Sequence, residues 1–252
     1  MADPANVRTF EQSGCLIVDR YLNPLKVRAL TELALAEIHS AETRSGALVV
    51  GTGRRMVPIP IAGKFDDREI FAAPELRGFL SALHGDNHVL NCFTCINAAP
   101  GAQDQHIHRD YGGLFEDKVD SFCPSFAVNL FIPLVPFNSV NGTTRVWPGT
   151  HRKPDLSDDP MEGGFIDPEL EPGSVLLVDY RLKHCGTANR SRADRPVICL
   201  GYSRDWFLDT LHYKEINPLQ IDLDILAAKP TPEQHLLSRA KMYASLETRR
   251  RT

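Results

Sequence analysis

The chain has 252 residues, of which 42% are hydrophobic and 24% charged, with a formal net charge of -4. These proportions exclude a disordered chain and give no electrostatic case for nucleic acid or an anionic membrane as partner. No apolar run approaches the roughly 20 residues of a membrane helix, and Met1-Ala2-Asp3-Pro4 lacks a charged-then-apolar signal pattern, so a cytoplasmic location is the default expectation.

The N-terminal third predicts mixed structure. Thr9 to Gly14 reads as a short helical turn stopped by glycine, and Cys15-Leu16-Ile17-Val18 as a short buried strand. Asn23 before Pro24 marks a helix start, a capping side chain followed by a proline whose missing N–H costs nothing in the first turn. Val27, Leu30, Leu33, Ala34 and Ile38 then recur at three-to-four spacing, the stripe of a helix lying on a core. A second helix opens at Ala73-Pro74-Glu75, carries Leu76, Phe79, Leu80 and Leu83 on one face, and ends near Gly85. Residues 41 to 66 show no assignable period.

From Val89 the pattern changes to short apolar strands, over 89–97, 105–110, 125–134, 143–147, 174–178 and 196–203. Turn signals separate them at Ala99-Pro100-Gly101, Asn141-Gly142, Pro148-Gly149 and Glu171-Pro172-Gly173. That density predicts a sandwich or jelly roll. Residues 150–170 read as a polar loop. Thr231-Pro232-Glu233 opens one amphipathic helix to about Leu246, and Arg249-Arg250-Arg251 reads as a solvated, frayed tail. One domain is expected, with a helical part over about 1–88, a jelly-roll core over about 89–207 and a C-terminal helical extension over about 208–252. The six cysteines read as reduced thiols. Cys92 and Cys95 lie at an odd offset on one strand, so their sulfurs face opposite ways and fit two buried structural cysteines better than a metal or redox pair.

The chemistry concentrates in Gln105-His106-Ile107-His108-Arg109-Asp110. Side chains two residues apart on an extended segment share a face, so His108 and Asp110 can grip one side of a divalent metal. A third ligand from far along the chain would complete a two-histidine, one-carboxylate triad, the signature of non-haem ferrous oxygenases, and His184 is the best downstream candidate. Spacing alone leaves rivals. His106 has the same parity, so a zinc or cupin-like site built on His106 and His108 is equally feasible, and so are ordinary polar strand residues.

Several segments in order resemble the phytanoyl-CoA dioxygenase-like (PhyH) family of iron(II)- and 2-oxoglutarate-dependent oxygenases. They are Gln105-x-x-His108-x-Asp110, Asn141 through His151, Gly173-Ser174-Val175-Leu176-Leu177, His184-Cys185-Gly186-x-x-Asn189 and Arg195-Pro196, with a weaker likeness from Phe10 to Ile38. The resemblance implies a double-stranded β-helix (jelly roll, cupin-like), mainly β with flanking helices. It implies His108, Asp110 and His184 as iron ligands, and Arg195 as the anchor for the distal carboxylate of 2-oxoglutarate. A planar guanidinium suits that role because it meets a carboxylate with two parallel hydrogen bonds. Gln105 and Thr144 match further cosubstrate contacts. Many relatives carry a serine where this chain has Gly186, so Thr187, Thr144 or water would have to serve there. His151 reads as a loop residue bonded to backbone.

The implied reaction couples decarboxylation of 2-oxoglutarate to succinate and carbon dioxide with oxidation of a substrate carbon by dioxygen. Hydroxylation is the default outcome, with desaturation, epoxidation, cyclisation or epimerisation open to the same machinery. An intact Asp110 argues against halogenation, since halogenating relatives replace the carboxylate. A compact natural-product intermediate is the expected substrate, because no basic cluster suits coenzyme A phosphates. Tyr111 to Lys118, Gly53 to Met56 and Arg204 to Phe207 are candidates to line the pocket. A monomer or homodimer without nucleic-acid or membrane partners is expected. Two rival functions remain at this stage, a cupin-like metal-dependent isomerase or epimerase needing no cosubstrate, and a non-catalytic jelly-roll binding protein.

Overall fold

A computed structural model describes residues 1–43, 47–115, 118–153, 164–209 and 216–251. Helix α1 spans Pro4–Ser13, starting earlier than the turn expected at Thr9. Its N-terminus is set by Asp3, whose side chain accepts the Ala5 N–H at 2.7 Å, and by Pro4 in the first turn. Gly14 closes it in the left-handed region at φ 78°. Strand β1 is Cys15–Val18 and helix α2 is Pro24–Thr43, both as predicted. Val27, Leu30, Ala34 and Ile38 are buried, while Leu33 stands on the flank of the stripe, 39% exposed.

The stretch without a period holds two short strands, β2 (Leu48–Val49) and β3 (Arg54–Pro58). Helices α3 (Arg68–Phe71) and α4 (Pro74–His84) follow, and α4 buries Leu76, Phe79, Leu80 and Leu83. The remaining strands are β4 (Val89–Ala98), β5 (Ala127–Pro133), β6 (Thr144–Val146), β7 (Val175–Asp179), β8 (His184–Gly186) and β9 (Arg195–Ser203). The C-terminal part is α5 (Leu223–Ala228), α6 (Thr231–Leu236) and α7 (Arg239–Arg251). The single helix expected from Thr231 is therefore two, broken around Leu237. α7 continues through the arginines expected as a frayed tail, since nothing between Arg239 and Arg251 is a glycine or proline.

Seven strands form one antiparallel sheet in the order β1-β7-β5-β9-β4-β3-β2, and β6 pairs with β8 in a small second sheet. The large sheet thus recruits β1, β2 and β3 from before residue 89. The two sheets face each other in a jelly roll, and strand parity sorts the side chains. Leu130, Ile132, Leu177, Ile198 and Leu200 point outward into the main core under the helices. Phe131, Leu176, Val178, Val197 and Cys199 point inward to a second core between the sheets. Each such fully buried side chain contributes about 1.5–3 kcal/mol.

A further expectation fails at the site itself. Residues 105–110 are not a strand; the segment is held to β8 by an isolated bridge between His108 and His184. Residues 116–117 of the loop after Asp110 and 154–163 of the polar loop lie outside the described residues.

Candidate metal centre

The bridge that replaces the expected strand is what assembles the site. His108 N–H donates to the His184 carbonyl at 3.0 Å and His184 N–H donates back at 2.9 Å, so the two residues sit directly opposite each other. Gln105 N–H reaches the Gly186 carbonyl at 2.9 Å and fixes the register. The rings of His108 and His184 come to 4.4 Å between centroids. Asp110, two residues on, turns its carboxylate to the same face, with Oδ1 3.8 Å from His108 Nε2 and Oδ2 3.5 Å from His184 Nε2. Among the described residues, His108, Asp110 and His184 form the group whose ligand atoms all lie within 4.8 Å of one another. His106 is exposed and does not join it, although its ring lies 5.2 Å from that of His108.

The donor set fits a divalent cation on electrostatic grounds. Nδ1 of His108 faces the His106 carbonyl at 2.9 Å, and Nδ1 of His184 faces the Leu182 carbonyl at 2.9 Å. A carbonyl only accepts, so both Nδ1 atoms carry the proton and both Nε2 atoms present lone pairs toward Asp110. Burial and the neighbouring His184 push His108 down to about 4, so its ring is neutral at pH 7. Two lone pairs and a carboxylate facing one another repel unless a positive charge lies between them. Two imidazoles and one carboxylate with open positions suit ferrous iron.

These groups open onto a cavity of about 410 Å³ between the sheets. Strand parity supplies its walls, with Asn129 and Phe131 from β5, Arg195, Val197 and Cys199 from β9, Ile96 from β4 and Met56 from β3. Arg195 is 3% exposed. Its Nη1 donates to the Thr143 carbonyl at 3.1 Å, its Nε has no partner, and its guanidinium lies 5.3 Å from the Phe137 ring centre. Burial, with Arg54 nearby, lowers Arg195 to about 9, which leaves it charged at neutral pH. No carboxylate among the described residues pairs with it. A buried cation with an unpaired donor beside a cavity is costly unless an anion enters.

Gln105 and Thr144 both line the cavity. The Gln105 amide is largely committed to backbone, its Nε2 donating to Val50 O at 2.5 Å and its Oε1 accepting from Gly186 N–H at 2.8 Å. Its second amide hydrogen is the one left for a guest. Gly186 has no room for a side chain, because a Cβ would come 2.6 Å from Gln105 Oε1 and 3.0 Å from Arg54 Nη1. Arg54 is 1% exposed and donates to Gln103 O at 2.9 Å and Gly186 O at 3.1 Å. The Thr187 hydroxyl accepts from the Thr143 N–H at 2.7 Å and donates to the Thr143 carbonyl at 3.3 Å, the carbonyl that also accepts from Arg195 Nη1.

Three polar groups at the site escaped sequence reasoning. Asn129 Nδ2 donates to Asp110 Oδ2 at 2.6 Å. Tyr180, 1% exposed, and Asp209, 3% exposed, also line the cavity. Among the described residues of the segments expected to line it, only Met56 does so. Tyr111 packs edge-on against Phe126 and Phe207, and Arg204 binds the carbonyls of Ser125 and Leu83. His151 is buried elsewhere, with Nε2 3.1 Å from the Glu11 carbonyl, as its loop reading predicts. Cys92 and Cys95 are buried and in no disulfide.

The model of the phytanoyl-CoA dioxygenase (PhyH) family matches residues 10–197. Among curated proteins the chain is 29% identical over 229 residues to "Dioxygenase aneA" of Aspergillus aculeatus, covering 84% of this chain and 76% of that one. It is 27% identical over 230 residues to "Iron/alpha-ketoglutarate-dependent dioxygenase penM" of Penicillium thymicola, covering 86% and 70%. Among solved structures, AviO1 from Streptomyces viridochromogenes superposes with a TM-score of 0.60 at 20% identity, covering 81% of this chain and 96% of that one. SnoN, a non-heme alpha ketoglutarate dependent epimerase from nogalamycin biosynthesis, gives 0.60 at 18%, covering 86% and 94%. The structural likenesses establish the fold.

Proposed function

Because the chain belongs to the phytanoyl-CoA dioxygenase family, we propose that it is an iron(II)- and 2-oxoglutarate-dependent oxygenase of secondary metabolism that oxidises a compact small molecule. The observation that carries this reading is the pairing, in one cavity, of a two-histidine, one-carboxylate cluster with a buried guanidinium lacking an anionic partner.

His108, Asp110 and His184 would hold the iron. Arg195 would take the distal carboxylate of 2-oxoglutarate, with Thr144 and the free amide hydrogen of Gln105 as lesser contacts. When bound, iron and 2-oxoglutarate supply activation of dioxygen, with succinate and carbon dioxide released and a substrate C–H bond oxidised. The protein contributes order. The carbonyls of His106 and Leu182 keep both imidazoles in the metal-binding tautomer. Phe131, Ile96, Val197 and Met56 give the cavity apolar walls that exclude water. Tyr180, on the cavity wall, would offer its hydroxyl to orient an oxygen of the substrate. Hydroxylation is the default outcome. The N-terminal and C-terminal helices and the jelly roll act as one domain in this reading.

Anaerobic titration of the ferrous protein with 2-oxoglutarate tests it. A weak visible metal-to-ligand charge-transfer band is expected, and Arg195→Ala should weaken 2-oxoglutarate binding about 10- to 100-fold, the cost of losing a charge-assisted pair. Iron binding without the band would refute the assignment.

A further inference from the structure

Asn129 is the one polar residue in the buried run Ala127-Val128-Asn129-Leu130-Phe131-Ile132 of β5. On a central strand such a position needs a specific partner, since an unpaired amide there is costly. Both ends of this amide have one. Nδ2 donates to Asp110 Oδ2 at 2.6 Å, and Oδ1 accepts from the Cys199 thiol at 3.7 Å. The carboxylate fixes which way the amide faces, because it only accepts and so takes the nitrogen, leaving the amide oxygen to accept from the thiol. Gly201 stands opposite Asn129 across β9 and allows this packing; a Cβ there would lie 3.4 Å from Asn129 Oδ1 and 2.8 Å from the Tyr180 hydroxyl.

Asp110 itself lies on a segment with little backbone support. The preceding part is tied to β8 through His108, and Tyr111 N–H reaches the Tyr180 carbonyl at 3.0 Å. Neither bond restrains rotation of the carboxylate about its own side-chain bonds. Asn129 supplies that restraint from the rigid sheet. Held at Oδ2, the carboxylate keeps Oδ1 as its free oxygen beside His108 Nε2.

We propose that Asn129 is a positioning residue for the metal centre. Its amide would lock Asp110 in the rotamer that gives the metal a single carboxylate oxygen, so that the remaining positions stay open for a chelating keto acid and dioxygen. This rests on His108, Asp110 and His184 being the ligands, and it is read without 2-oxoglutarate, so the two proposals fail separately.

Cobalt(II), followed by its visible absorption, is titrated into four metal-free proteins: wild type, Asn129→Leu, Asp110→Ala and the double variant. Asn129→Leu should raise the cobalt dissociation constant about 10- to 100-fold and alter the band shape, the range for loss of a group that orients a ligand. In the Asp110→Ala background it should add nothing, because residues acting through one contact are not additive. Should leucine prevent folding, Asn129→Ala removes the amide without adding bulk. Unchanged affinity and spectrum in Asn129→Leu, or equal weakening with and without Asp110, overturns the proposal. If wild type binds cobalt through Asp110 but shows no keto-acid band with iron, the oxygenase assignment falls and this one stands.

Discussion

At position 186 the resemblance leads one to look for a serine, and the structure has glycine with Gln105 and Arg54 packed against the space a side chain would need. Installing the relatives' residue should therefore harm this protein. Gly186→Ser is expected to displace the Gln105 amide or the Arg54 guanidinium and to weaken 2-oxoglutarate binding by about tenfold, the worth of one good hydrogen bond. Calorimetric titration of the metal-loaded variant measures it, and tighter binding would show that the space can open. The same residues mark what the sequence discloses at this scale. His108, Asp110 and His184 stood out as candidates, with His106 an open rival on spacing alone, and Arg195 came only from the family resemblance; the structure brings His108, Asp110, His184 and Arg195 to one cavity. Asn129 and Tyr180 did not stand out, since a lone asparagine in an apolar strand and a tyrosine beside Asp179 carry no spacing signal. Arg54 was legible only as part of a segment expected to line the pocket, without a partner of its own. Its burial depends on carbonyls of residues 103 and 186, far away in the chain.

The elements follow from their own chemistry more fully than the site does. α2 and α4 were readable from proline starts and apolar stripes, and β4, β5, β7 and β9 from apolar runs bounded by turns. The short pieces were harder. β8 has three residues and gives no periodic signal, and 105–110 alternates like a strand yet finds one bridging partner among the described residues. The turn at Asn141-Gly142 links element to function. Gly142 closes back on Asn138 with φ 81°, and a Cβ there would lie 2.5 Å from the Ala188 carbonyl and 2.6 Å from Arg195 Nη1. Gly142→Ala should cost about 1–2 kcal/mol for the left-handed backbone alone. It should also push Arg195 out of line, so that urea unfolding and 2-oxoglutarate affinity decline together. Loss of stability with intact affinity would show that Arg195 is seated independently of this turn.

At the scale of the whole molecule, strand order is the part that no local pattern reveals. β1 pairs with β7 and β5 with β9, contacts set by packing two sheets face to face. Among the described residues no helix is long and apolar enough to cross a membrane. A shared property of the fold is its store of neutral buried histidines. Burial pushes His84 down to about 3 and lowers His88 and His151. In the unfolded chain each would titrate near 6.5. Below that pH the unfolded state takes up protons that the folded state refuses, so stability falls as pH drops from about 6.5 toward the folded values. For His84 the slope is about 1.4 kcal/mol per pH unit over that window. Urea midpoints of the metal-free protein at pH 7 and 5 should record the decline, and His84→Gln should make it shallower. A flat profile would mean that these rings gain protons without unfolding.

The cavity runs from Val49, 71% exposed, to Arg195, 3% exposed. On the proposed function that gradient would impose a queue. A dicarboxylate bound to the inner guanidinium would arrive before the molecule to be oxidised and depart after it, so the two would not exchange places during a cycle. Turnover would then be paced by succinate escaping past an emptied substrate site, and surplus substrate would hold the spent acid inside.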